Sequence, residues 1–77
     1  MVADRLRVDS LDQLRAALEG GWQVEPPIYT FTDRLRQRVV YQFILWRDSQ
    51  AGVATIYDDP QVQQFIATHA YPLKPLL

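Results

Sequence analysis

Arg38-Val39-Val40-Tyr41-Gln42-Phe43-Ile44-Leu45-Trp46-Arg47 is the stretch on which the fold turns. It is dense in β-branched and aromatic residues and carries no glycine or proline, which predicts a strand over 38–47. Successive side chains of a strand point to opposite faces. Val39, Tyr41, Phe43 and Leu45, with Leu35 upstream, then share one face, and Val40, Gln42, Ile44 and Trp46 share the other. The odd-numbered set is the richer in large apolar groups and is expected under the helices. An antiparallel sheet with one wet face should show polar residues on that face. Here only Gln42 is polar.

Working outward, Trp22 to Thr32 reads as a first strand interrupted by Pro26-Pro27, whose missing N–H groups predict an edge position or a bend. Asp33 to Gln37 is the connection. Asp48-Ser49-Gln50-Ala51-Gly52 has turn chemistry, and Val53 to Tyr57 forms a third, shorter strand. A helix is predicted over 10–20. Ser10 caps it, Gln13 reaches back, and Leu11, Leu14 and Leu18 supply its stripe until Gly20-Gly21 ends it. A second spans 59–70, with Asp59 as N-cap, Pro60 at N1, and Val62, Phe65, Ile66 and Ala70 at helical spacing. Residues 1–9 form an extended lead-in and 71–77 an apolar tail too short for an element of its own. The expected class is α+β: a single domain of order α-β-β-β-α, with a three-stranded antiparallel meander, strand 38–47 central, and both helices on one face.

With 77 residues, 48% hydrophobic, 12% aromatic and 22% charged, the chain is too rich in apolar groups for disorder and too short for two domains. It has no cysteine, which excludes disulfides and thiol chemistry. No apolar run approaches the ~20 residues of a membrane span, and no signal-peptide core follows the start, so a cytoplasmic protein is expected. A net charge of −1 weighs against nucleic acid and membrane surfaces as partners. The expected element order resembles that of double-stranded RNA-binding domains, which use a basic start to the second helix. In this chain that start is Asp59-Pro60-Gln61-Val62-Gln63-Gln64. The resemblance is one of topology and does not extend to the RNA contacts.

Arg34, Arg36 and Arg38 alternate, as an anion clamp would in an extended segment; the other reading makes them the solvated rim of a hairpin loop, neutralised by Asp33 and nearby acids. His69 is the only histidine, and Asp58-Asp59 lies at the opposite end of the same helix, where helix capping accounts for it. Neither offers a nucleophile–base pair or a metal-ligand spacing, so no catalytic residue, cofactor or metal is expected and the chain is read as non-enzymatic.

Helix length decides what lies over the even-numbered face. Nine strand residues span about 30 Å and an eleven-residue helix about 16 Å, so two helices cover roughly one face of the sheet. The expected function is a protein-interaction module, a homodimer through the outer sheet face or a sheet edge. Val40, Gln42, Ile44 and Trp46 would form the contact, with Arg34, Arg36 and Arg38 at its rim. The alternatives are a weak nucleic-acid or anion-binding module using the three arginines, and an accessory subunit of a larger complex.

Overall fold

A computed structural model describes residues 6–76. Strand β1 (Leu6–Val8) leads into helix α1 (Leu11–Glu19). Strands β2 (Gln23–Asp33), β3 (Arg38–Arg47) and β4 (Gln50–Tyr57) follow, then helix α2 (Pro60–His69) and strand β5 (Leu73–Pro75). The chain is a small α+β fold, but its sheet is five-stranded and mixed, in the order β1-β4-β3-β2-β5. The expectation of a three-stranded antiparallel meander is corrected at both flanks. Leu6, Arg7 and Val8 pair in parallel with Gly52, Val53 and Ala54. Leu73, Lys74 and Pro75 pair in parallel with Ile28, Tyr29 and Thr30. The tail, expected to form no element, is therefore a strand, held by Ile28 N–H donating to Pro72 O at 2.8 Å and Leu76 N–H donating to Thr30 O at 2.8 Å. The expected α-β-β-β-α order is present as α1-β2-β3-β4-α2, with a parallel strand added at each flank of its sheet. Residues 1–5 of the expected lead-in and Leu77 of the tail lie outside the described residues.

The first strand, expected to lie at an edge or to bend at its prolines, lies inside the sheet between β3 and β5. Its prolines are accommodated by a bulge. Glu25 pairs with Ile44 and Tyr29 with Gln42, so four steps along β2 match two along β3, and the cis Pro26-Pro27 bond falls in the excess. β5 pairs only beyond the prolines. Gly52, expected in a turn, lies within β4. A Cβ there would stand 2.8 Å from Leu6 Cβ and 3.2 Å from the Leu6 carbonyl oxygen, so the close approach of β1 requires glycine.

Local chemistry brackets both helices. Ser10 Oγ accepts from Gln13 N–H at 3.2 Å, while Gln13 Oε1 accepts from Asp9 N–H at 2.9 Å. α1 ends in a Schellman motif: Trp22 N–H reaches Ala17 O, Gly21 N–H reaches Leu18 O, and Gly21 takes φ 95°. Arg47 fastens this end to the sheet. Its guanidinium lies 4.8 Å from the Trp22 ring centre and donates to Gly20 O and to Gln50 Oε1. At α2, Asp59 Oδ1 accepts from Val62 N–H at 2.8 Å.

The core lies between the helices and the inner face of the sheet. Leu11, Leu14, Val62, Phe65 and Ile66 pack there against Tyr41, Phe43, Leu45, Ala54 and Ile56. Phe43 and Phe65 meet edge to face, with ring centres 6.3 Å apart. The odd-numbered face of β3 is thus the inner one, except at its start. Leu35, assigned upstream to that face, is 92% exposed because it sits in the β2–β3 turn and not on a strand, and Val39 is exposed at the strand end.

Candidate interaction surface

The register defines the other side of the sheet. Val40 lies beside Phe31 and Tyr57, Gln42 beside Tyr29 and Thr55, Ile44 beside Glu25 and Val53, and Trp46 beside Gln23 and Ala51. Period-2 alternation puts all of these on one face. Neither helix packs on it: the helix-side core includes none of these residues. Val53, Ile44, Val40, Tyr29 and Phe31 make up its apolar part, crossed by Gln42 and Thr55 in the central row and flanked by Arg7 on β1 and Lys74 on β5.

The four contact candidates are brought together here, with unequal exposure. Val40 is only 3% exposed, enclosed by its strand neighbours, so its role is to support the surface and not to reach out from it. Gln42 and Ile44 are half-buried, and Trp46 is 39% exposed. Leu76, carried past β5, borders a shallow cleft of about 850 Å³ with Phe31, Arg34 and Gln42. The even-numbered residues of β3 were legible from the alternation. Leu76 was not, because it reaches this face only through the pairing of β5.

The three arginines do not form one clamp. Arg34 and Arg36 sit in the turn, inside the connection expected over 33–37, and not along an extended segment. Asp33 organises that turn: its Oδ1 accepts from Leu35 N–H at 3.0 Å and Arg36 N–H at 3.3 Å. Its Oδ2 accepts from the Tyr57 hydroxyl at 2.9 Å and lies 3.5 Å from Arg36 Nη1. The Tyr57 hydrogen bond is the main cause holding the Asp33 carboxyl below its ordinary value of 3.8. The two backbone donors and the Arg36 charge add to it, and desolvation opposes them. Arg38 stacks on the Tyr57 ring, 4.3 Å from its centre. Of the three, Arg34 is the one that borders the cleft beside Phe31 and Leu76.

On the opposite side a groove of about 710 Å³ runs between α1 and α2, with Arg15, Phe65 and His69 among its lining. Arg15 lies 5.9 Å from the Phe65 ring centre. His69 Nδ1 is 2.9 Å from Phe65 O, a carbonyl that can only accept, and its ring stacks on Tyr71 at 5.1 Å. Burial raises the Tyr71 phenol above its ordinary value, and burial followed by Asp58 raises that of Tyr41. Among the described residues no three His, Cys, Asp or Glu side chains cluster to hold a metal ion. No described helix is long and apolar enough to cross a membrane.

No protein family, curated protein or solved structure matches this chain.

Proposed function

We propose that the chain is a non-enzymatic interaction module of the cytoplasm that forms a homodimer through the outer face of its sheet. The observation that carries this reading is that Trp46, Ile44, Val53, Tyr29 and Phe31 share a sheet face that neither helix covers. Apolar surface of this extent on a soluble protein marks a contact site more often than a wetted one. Area supports a second copy as the occupant. Three strands of 8 to 11 residues and two of three, at about 3.3 Å per residue and about 4.8 Å spacing, present roughly 550 Å² per copy. A pair then buries about 1,100 Å², above the roughly 1,000 Å² that a specific contact needs and near the smallest of the stable ones. The composition fits as well: Trp46, Tyr29 and Phe31 with Arg34 at the margin is the aromatic-and-arginine pattern of interfaces.

Anion binding is the weaker reading, because Arg36 is paired with Asp33 and Arg38 is stacked on Tyr57. Sedimentation equilibrium tests the proposal. The wild type should associate with a micromolar to submillimolar dissociation constant, and Trp46→Glu, at an exposed position, should be a folded monomer. A wild type that stays monomeric at about 0.5 mM overturns self-association, and the accessory-subunit reading takes its place.

A further inference from the structure

The geometry points to a second site, on the helix side of the molecule: the groove between α1 and α2 takes a small zwitterion with an apolar body, the chemistry of a free amino acid. Its volume of about 710 Å³ falls within the roughly 300–1,000 Å³ of small-molecule sites. The groove has a direction. α1 joins β1 to β2 and α2 joins β4 to β5, and these four strands all run the same way. Both helices therefore return in the same sense over one face of the sheet, and Glu19 and His69, the last residues of each, lie at the same end of the groove. Parallel macrodipoles favour a cation at that end and an anion toward the other.

The side chains sort in the same order. Among the described residues Arg15 has no ion-pair partner, and neither has Glu19 one helical turn further on. Arg15, its guanidinium 5.9 Å from the Phe65 ring centre, can only donate. At the C-terminal end the groups accept. Glu19 is a carboxylate, and His69 donates from Nδ1 to Phe65 O at 2.9 Å, so Nε2 of the neutral ring keeps its lone pair. That ring packs against both Phe65 and Tyr71, with centres 4.3 and 5.1 Å away. α2 has no Asp, Glu, Lys or Arg from Pro60 to His69, and Gln61 and Gln64 line the groove with neutral amides. Asp12, the remaining charge of α1, is not in the lining. A simple anion therefore meets Glu19, and a simple cation meets Arg15, each at a loss. A zwitterion satisfies both, its carboxylate on Arg15, its ammonium at Glu19 and His69 Nε2, and its apolar part on Leu18 and Phe65. In a free amino acid the two charged groups share one carbon, within reach of side chains one helical turn, about 5.4 Å, apart.

Titration of the full chain with L-phenylalanine, followed by NMR chemical shifts, tests the site. Binding should show a dissociation constant below about 1 mM, with shifts centred on Arg15, Glu19, Phe65 and His69. Phenylethylamine, which lacks the carboxylate, and 3-phenylpropionate, which lacks the ammonium, should each bind about tenfold more weakly. Arg15→Gln should weaken phenylalanine about tenfold without weakening phenylethylamine, and Glu19→Gln should weaken phenylalanine likewise without weakening 3-phenylpropionate. Both substitutions fall at exposed positions, so the fold is kept, which unchanged amide spectra verify. No shift at about 10 mM phenylalanine, an analogue that binds as tightly as phenylalanine, or variants that bind it like wild type overturn the zwitterion site. The groove lies opposite the outer sheet face, so the result does not depend on whether the chain dimerises.

Discussion

Tyr57 joins two jobs at one residue: its ring carries Arg38 and its hydroxyl holds Asp33. The sign of the pH effect follows from the lowered Asp33 value. A carboxyl that titrates lower in the folded chain than in the unfolded one adds stability that is complete above its unfolded value. That contribution is lost as the pH falls through the lower folded value. Tyr57→Phe removes the largest cause, so Asp33 should titrate closer to 3.8, as followed by carboxyl carbon chemical shifts. An unmoved Asp33 would assign its shift to the turn amides and Arg36 instead. None of this was legible in the sequence. Asp33 and Tyr57 lie 24 positions apart, and only the meeting of β2 and β4 across the end of β3 brings them together. Alternation alone could place Tyr57 on either face.

At the scale of elements, what the sequence revealed follows how local the stabilising interaction is. Ser10, Gly21 and Asp59 act on amides and carbonyls within a few residues, and α1 begins and ends, and α2 begins, within a residue or two of where those signals fall. Asp59→Ala leaves the Val62 N–H without its acceptor and should cost about 1 kcal/mol, read as a lower urea midpoint at unchanged slope. β3 was legible because its alternation is internal to it. β1 and β5 were not fully legible, since a three-residue strand is specified by the neighbour it joins. The neighbour of β1 is recognisable only afterwards, as the glycine at 52 that makes room for Leu6. That of β5 is the half of β2 beyond the prolines. The contact candidates on β3 follow the same rule: their common face was readable, whereas the burial of Val40 depends on Phe31 and Tyr57 closing from either side.

Across the whole molecule, the two layers form a flat body of 36 × 29 × 20 Å, thin enough that one fully enclosed aromatic matters to all of it. Phe43 is buried completely where β3 meets α2. Phe43→Ala should cost about 3–5 kcal/mol, much of the 5–15 kcal/mol typical of a domain. Thermal melts of that variant should be shifted far down or lost. Melting within a degree or two of wild type would mean that the odd-numbered face is not the structural one. For a dimer, the wild-type midpoint should also rise with protein concentration, because the second copy binds only the folded state.

The outermost strands have a bearing on what kind of assembly the chain can build. Leu6–Val8 and Leu73–Pro75 are each three residues long, and Pro75 has no amide hydrogen to donate. Such margins give an incoming strand very little to template on. Sideways addition would be open-ended, each new copy exposing a fresh margin, and would lead to fibres. Contact through the broad face uses the same patch on both copies and is exhausted once two have met. Short margins beside a sticky face therefore favour a particle of fixed size over a growing polymer.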